Sequence, residues 1–400
     1  PAGAGGRMSQ RAAGFSAAML PGLVAGGWIV GLIAAPILAL VFASSGGRVW
    51  EILGDPYIRH VAWFSLWQAA LSTGISLVLA MPMACALARR RDIPGVALLL
   101  RMFNLALVAP AMIAILGIAT VHGRSGWVNQ ALGLVDLDQG HYLYGLFGIL
   151  LAHVFFNMPL AVRLLLPVWQ TIPGETWRLA SQLGMGSGAI LRLIEIPRLV
   201  TALPGVATLI FLLCFTSFAV VLALGGGPRS TTLEVAIYQA LRLEFDLTRT
   251  VMLALMQMAV CAGIAALMFR FARPSPSNAT EERHTQRPDT VSMAGRTGDA
   301  IVLVLGAAFV AGPLAAILIS GVTGPLGVVL ARGDVWAALL RSVSVGLGAG
   351  FLALLLGTAL LITTRDMAIR GARLGRADRM ELAGSLTLVM SPIVLGAGLF

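Results

Sequence analysis

Long apolar runs recur from one end of this chain to the other, and they constrain its fold more than any other feature. A helix needs about 20 predominantly apolar residues to cross a bilayer. These runs are apolar on every face, whereas the strands of membrane barrels alternate apolar and polar side chains. The sequence therefore predicts an all-α polytopic membrane protein. The predicted spans are Leu20–Ser44, Val61–Ala88, Val96–Val121, Leu143–Pro167, Pro204–Leu224, Val251–Phe271, Ile301–Val322, Val335–Ile362 and Leu382–Phe400.

Composition excludes two other classes of protein, soluble proteins and nucleic-acid-binding proteins. Hydrophobic residues make up 58% of the chain and charged residues 12%, far from the averages of soluble proteins. The net charge is +10, but the arginines are dispersed over the segments between spans. A nucleic-acid-binding protein would instead concentrate them in one basic patch. We therefore expect the lipid bilayer as a partner and no nucleic acid.

The arginines also predict the orientation of the chain. They are concentrated in alternate inter-span segments, with clusters at Arg89–Arg91, Arg178–Arg198 and Arg365–Arg379. Because cytoplasmic segments carry the excess of positive charge, these clusters are expected inside the cell. The N-terminal tail, residues 1–19, is then cytoplasmic as well.

An internal repeat predicts two homologous helical bundles in one chain. Trp63–Arg91 resembles Trp336–Arg365, and Leu105–Pro110 resembles Leu386–Pro392. We expect a first repeat over 20–272 with about six spans, a polar cytoplasmic linker over 273–299, and the start of a second, incomplete repeat over 300–400. Helical repeats of this kind often build transporters.

One polar segment, Gly174–Pro197, lies between two apolar runs on the predicted cytoplasmic side. Ala180, Gly184, Ile194 and Pro197 have the spacing A-x3-G-x9-I-x2-P. The glycines at 184, 186 and 188 permit a sharp reversal of the chain. We expect a helix over 175–183, a second helix over 189–196 that proline ends, and a surface that docks into a partner.

This spacing resembles the EAA loop of bacterial ABC-importer permeases, E-A-A-x3-G-x9-I-x-L-P, and we call Gly174–Pro197 the coupling loop. Arg178 stands where the first glutamate of that pattern falls, so the carboxylate nearest to the pattern is Glu175. The stretches Gly148–Leu166 and Leu222–Leu241 are similar to the fused two-repeat thiamine permeases of such importers.

The resemblance implies a type I importer permease fold in the bacterial inner membrane. It also implies import of thiamine or its phosphates, with a periplasmic thiamine-binding protein on one side and two cytoplasmic ABC ATPase subunits on the other. The residues implied in ATPase docking are Glu175, Arg178, Ala180, Gly184, Gly186, Ile194 and Pro197.

Candidates for the substrate path come from polar residues and glycines near the spans. His153 and Asn157 lie four residues apart, hence on one helical face, and polar residues inside a span are functional candidates. The alternative interpretation is that these two side chains form hydrogen bonds that hold neighbouring helices together. Gly225, Gly226 and Gly227 either end a span or form a flexible gate. A short amphipathic helix is predicted directly after them, over Thr231–Leu241.

The chain offers no chemistry of its own. A P-loop requires a lysine, and the sequence has none. We therefore expect no catalytic residue, no metal site and no cofactor here, with ATP and Mg²⁺ bound by partner subunits. A permease for iron(III) or another small solute stays open as an alternative. An ion-coupled secondary transporter is disfavoured because no Asp or Glu lies deep in a predicted span.

Overall fold

The computed structural model describes residues 19–43, 54–90, 94–135, 142–271, 293–369 and 392–399. Within these ranges the regular structure is entirely helical. The predicted tail up to residue 18, most of the predicted linker and residues 382–391 of the last predicted span lie outside the described residues. The helices are α1 (Leu20–Ala43), α2 (Pro56–Arg89), α3 (Val96–Val108), α4 (Ala111–His122), α5 (Trp127–Gly133), α6 (Leu146–Gln170), α7 (Gly174–Gln182), α8 (Ser187–Ile190), α9 (Ile196–Phe215), α10 (Ala219–Leu224), α11 (Leu233–Arg242), α12 (Leu247–Phe271), α13 (Met293–Thr323), α14 (Leu326–Leu330), α15 (Gly333–Ile369) and α16 (Pro392–Leu399).

The prediction of a multi-pass helical membrane protein is confirmed. Among the described residues, seven helical stretches are long and apolar enough to cross a bilayer. The helices α1 and α3 contribute shorter apolar segments. The seven stretches are Pro56–Arg89, Ala111–Gly133, Leu146–Trp169, Ser187–Phe215, Leu247–Leu267, Gly295–Thr323 and Gly333–Met367.

The third predicted span, Val96–Val121, is wrong as a single helix. It breaks into α3 and α4 at Ala109 and Pro110. Ala109 has φ −59° and ψ 129°, an extended conformation. The ring of a proline disfavours helical geometry in the residue before it, so Pro110 ends α3 and starts α4.

The helix α2 is the central element of the larger compact unit. It begins where Asp55 accepts a hydrogen bond from the Tyr57 amide at 2.8 Å, with Pro56 in the first turn, where its missing N–H costs nothing. It packs most extensively against α6 and also contacts α9, α11 and α13. Phe103, Phe155 and Phe215 are fully buried in this unit.

Two compact units divide the chain, and their boundaries differ from those of the predicted repeats. The larger unit is Ser45–Gly324 and contains α2 to α13. The smaller unit combines the first 44 residues with Pro325–Phe400. In it α1 packs against α15, where the Gly22 amide donates to Thr363 Oγ1 at 3.0 Å. The repeat boundaries at 272 and 299 concern sequence similarity and stay a prediction.

Candidate functional site

The first helix of the coupling loop, α7, has a buried face and an exposed face. Trp177 and Ala180, three residues apart, are 5% and 1% exposed. Glu175 and Arg178 are exposed, and so are Leu179 on this helix and Leu183, its C-cap residue. Trp177 and Ala180 therefore lie on the buried side of this helix, and the charged and leucine side chains lie on its exposed side.

A tight turn then reverses the chain at Gly184. This glycine has φ +63°, the left-handed region that side chains with a Cβ rarely adopt. The Met185 amide donates to the Ala180 carbonyl at 3.0 Å, and the Gly184 amide donates to the Ser181 carbonyl at 3.1 Å. This pair of bonds is the Schellman motif, which satisfies the last carbonyls of a helix. Gly186 is the N-cap of α8.

The second half of the loop differs from the prediction. Pro197 does not end a helix. It lies in the first turn of α9, and the helical path runs from Ser187 to Phe215 without a break. Leu191–Glu195, directly before it, is a π-helical turn. A proline lacks the N–H that would bond one turn back, and the wider π-turn accommodates it. Ile194, in this turn, is half-buried.

This continuity connects the coupling loop directly to a membrane helix. The predicted fifth span, Pro204–Leu224, is consequently wrong at both ends. The helix α9 begins before Pro204, at Ile196, and ends at Phe215. A break follows before the short helix α10.

A buried polar cluster lies at the base of the coupling loop. Glu195 is 1% exposed, and its Oε2 accepts from Cys85 Sγ on α2 at 3.5 Å. One turn further along α2, Arg89 and Arg90 both bind Asp299 on α13. The Arg90 Nε donates to Asp299 Oδ2 at 2.9 Å. The cluster thus joins three elements that are far apart in sequence.

The two polar candidates for the substrate path are buried within the larger unit. His153 and Asn157 on α6 are 2% and 5% exposed. His153 Nδ1 is 2.9 Å from Ser72 Oγ on α2, and Asn157 Nδ2 donates to Cys214 Sγ on α9 at 3.2 Å. In this conformation both residues tie α6 to its neighbours. A role in the substrate path stays a prediction.

A ladder of buried polar residues along α2 was missed by the sequence reasoning. Ser65 Oγ accepts from the Leu233 amide at the start of α11, at 2.8 Å, and Gln68 Nε2 donates to the Cys214 carbonyl at 3.1 Å. Both residues are fully buried. Their spacing with Ser72 keeps them on one face of α2, and that periodicity is the signal that was available.

A buried carboxylate was missed as well. Glu234 on α11 is fully buried, and its Oε2 accepts from Gln257 Nε2 on α12. Glu234 lies outside every predicted span, and the sequence prediction considered acidic residues only within the spans. The predicted amphipathic helix over Thr231–Leu241 is confirmed as α11, but both Leu233 and Glu234 on it are buried.

The three consecutive glycines end α10 and shape a cavity. The Gly225 amide donates to the Val221 carbonyl at 2.8 Å, and Gly226 and Gly227 then have φ +72° and +135°. A Cβ on Gly225 would lie 2.5 Å from the Val221 carbonyl oxygen. All three glycines line a cavity of about 510 Å³ with residues of α2 and α11. Whether they act as a gate stays a prediction.

The described residues contain no cluster of three or more His, Cys, Asp or Glu side chains with the geometry to hold a metal ion. The three cysteines, Cys85, Cys214 and Cys261, are buried, and no disulfide joins any two of them.

Comparison with known proteins identifies the family. The thiamine transport system permease protein ThiP of Brucella abortus (strain 2308) is 42% identical over 382 residues, which cover 94% of this chain and 70% of that protein. The chain belongs to the thiamine transport permease family. ThiP of Escherichia coli (strain K12) is 41% identical, covering 96% of this chain and 71% of that protein. No family model matches the sequence.

A solved structure supports the same fold. The crystal structure of a bacterial ABC transporter involved in the import of the acidic polysaccharide alginate contains a chain that superposes with a TM-score of 0.53. The match covers 64% of this chain and 94% of that one at 15% identity. The importer permease fold expected from the coupling loop is therefore confirmed. The chain is a membrane transport subunit of the ABC permease type.

Proposed function

We propose that this chain is the transmembrane subunit of an ATP-driven importer that moves thiamine, or its phosphates, from the periplasm across the inner membrane. The observation that carries the proposal is the coupling loop: a tight turn joins an exposed helical face to a helical path that runs without a break from Ser187 into a membrane helix. The names of its relatives support thiamine as the cargo.

In this proposal the chain has no ATPase domain, and two cytoplasmic ABC ATPase subunits supply the energy. Each binds ATP and Mg²⁺ outside this chain, because the sequence has no lysine for a P-loop. Their closure displaces α7, and the continuous helical path from Ser187 to Phe215 carries the displacement into the bundle. A periplasmic thiamine-binding protein delivers the cargo. Transport follows because the cargo has different affinities for the two states of the bundle.

The exposed leucines of α7 provide the contact area for the ATPase. Leu179 is 55% exposed and Leu183 is 67% exposed, and they lie four residues apart on one helical face. Glu175 and Arg178 flank them with charge on the same helix. A pair of apolar side chains with a charged border is the usual pattern of a specific protein interface.

A substitution tests this docking face. We expect Leu183→Gln to weaken the interaction with the ATPase about tenfold, because burial of a leucine side chain contributes roughly 1.5 kcal/mol or more. The measurement is co-purification of the ATPase with the chain over a concentration series. The matched control is Gln182→Glu, an isosteric change beside it on α7, which should retain binding. Equal binding by Leu183→Gln and the unsubstituted chain would contradict the docking role.

A second experiment tests the cargo and the energy source. Proteoliposomes would contain the chain with its ATPase subunits, and the binding protein would be added outside. Thiamine uptake should require ATP hydrolysis and should not be reduced by an excess of iron(III) or sulfate. Uptake that persists without ATP and collapses with the proton gradient would exclude an ATP-driven importer. ATP-dependent uptake of another solute, without thiamine uptake, would overturn the cargo alone.

A further inference from the structure

We infer that the cavity beside Gly225–Gly227 is a binding site for a flat organic cation, and that Arg249 engages the two groups that recognise this cation, Tyr57 and Glu244, while the site is empty. The chemistry of the site follows from the structure. The identification of the cation as the thiazolium of thiamine rests on the proposed function.

The cavity has the size and position of a ligand site. Its volume of about 510 Å³ falls within the range of roughly 300–1,000 Å³ typical of small-molecule pockets. Its walls come from the start of α2, the end of α10, the glycine turn, and α11 with the residues that follow it. The lining includes Tyr57, Ser230, Thr231, Gln239 and Glu244.

The glycine turn forms one wall with backbone instead of side chains. The positive φ of Gly226 and Gly227 disfavours any other residue there. A Cβ on Gly226 would also lie 3.3 Å from the Tyr144 side chain. Just after the glycine turn, the Arg229 carbonyl oxygen is 3.1 Å from His60 Nε2 on α2. The wall is thus constrained and lets a flat ligand approach the main chain.

Two groups that recognise cations meet at this cavity. The Arg249 guanidinium lies over the Tyr57 ring, 5.7 Å from its centroid, and its Nη1 donates to Glu244 Oε2 at 2.8 Å. An aromatic face and a carboxylate on one cation are the elements of a cation site. Arg249 does not line the cavity itself but reaches both groups from the first turn of α12. Its side chain is 25% exposed, so a soluble cation can compete with it.

Polar groups nearby suit an uncharged heteroaromatic ring. Gln239, Ser230 and Thr231 line the same cavity. An amide and hydroxyls can both donate to and accept from ring nitrogens and an amino group. Thiamine joins a cationic thiazolium to an aminopyrimidine, so one ring can contact the cation-recognising groups and the other can contact the amide and hydroxyls. An anionic cargo such as sulfate would instead face the Glu244 carboxylate.

The site lies at the opposite end of α2 from the coupling loop. Tyr57 is in the first turn of α2, whereas Cys85, near its other end, contacts Glu195 of the coupling loop. This helix has 34 residues, and at 1.5 Å per residue it is about 50 Å long. The cavity is therefore positioned to receive cargo on one side of the membrane while the ATPase acts on the other.

Equilibrium binding of radiolabelled thiamine to the whole chain in lipid nanodiscs tests the inference. Tyr57→Leu and Glu244→Gln should each weaken binding about three- to tenfold, the range of a partly exposed cation–π or charge contact. Tyr57→Phe keeps the ring and should bind like the unsubstituted chain. Arg249→Gln removes the internal competitor and should strengthen binding. Asp334→Asn removes a carboxylate that also pairs with an arginine but does not line the cavity, and it should have no effect.

The outcomes separate the site from the proposed function. If the unsubstituted chain imports thiamine but Tyr57→Leu and Glu244→Gln bind it normally, the site is overturned and the function stands. If the chain imports no thiamine, N-methylpyridinium, a flat monocation, becomes the probe. Its binding, weakened by Tyr57→Leu and retained by Tyr57→Phe, would then support the site without the thiamine assignment. If neither Tyr57→Leu nor Glu244→Gln weakened the binding of thiamine or of N-methylpyridinium, the proposed site would be overturned.

Discussion

At the scale of single residues, the turn of the coupling loop depends on one glycine more than on its neighbours. Gly184 has φ +63°, whereas Gly186 has φ −73° and open space where a Cβ would stand. The sequence predicted both as turn residues with equal weight. Only the backbone conformation distinguishes them, because the strain of a Cβ arises in the left-handed region.

This difference gives a paired prediction. Gly184→Ala should destabilise the turn by about 1 kcal/mol and lower ATP-dependent uptake, because a Cβ opposes the left-handed conformation. Gly186→Ala should leave uptake unchanged. Uptake would be measured in proteoliposomes at equal amounts of inserted protein. If Gly186→Ala were the more damaging of the two, this assignment of the turn would be wrong.

At the scale of elements, the end of α2 is fastened to α13 by a buried ion-pair cluster. Asp299 is 4% exposed and binds both Arg89 and Arg90. Exposed ion pairs contribute little to stability, but removing one partner of a buried pair leaves a charge without compensation. The same end of α2 contacts Glu195 of the coupling loop. The cluster therefore fixes the position of the loop base relative to two membrane helices.

Removal of the shared carboxylate tests this role. Asp299→Asn should destabilise the chain by about 3 kcal/mol or more, seen as a lower thermal unfolding midpoint in detergent. Asp334→Asn in the exposed pair with Arg332 is the matched control, and its midpoint should not change. A normal midpoint for Asp299→Asn would mean that the cluster contributes nothing to the packing of α2 on α13.

At the scale of the whole molecule, the prediction concerns which side of the membrane each end of α2 faces. The proposal requires the coupling loop in the cytoplasm and the glycine turn in the periplasm. The three native cysteines are buried, so an introduced cysteine can be labelled selectively. Arg178 and Arg229 are both exposed arginines, one in each region.

In intact spheroplasts, a membrane-impermeant maleimide should label Arg229→Cys and should label Arg178→Cys only after lysis. The unsubstituted chain provides the background. The reverse pattern would place the coupling loop outside the cell, which would remove both the ATPase contact and the cytoplasmic N-terminus predicted from the arginines.

Much of this protein was determined by local sequence. Hydrophobic run lengths predicted the helical membrane fold because each span satisfies its own backbone hydrogen bonds. The glycines at 184, 186 and 188 predicted the turn of the coupling loop, since turn geometry depends on nearby residues. The segment similarities predicted the family, which comparison with known proteins then confirmed.

Tertiary structure alone decided the rest. The sequence predicted that Pro197 ends a helix, but the π-turn before it allows the helix to continue. Pro110, which lies inside a predicted span, instead separates that span into two helices. The partners Arg90 and Asp299 are 209 residues apart, and Tyr57 and Arg249 are brought together by packing of the bundle. A local sequence pattern cannot predict contacts between residues so far apart in the chain, because these contacts depend on how whole helices pack.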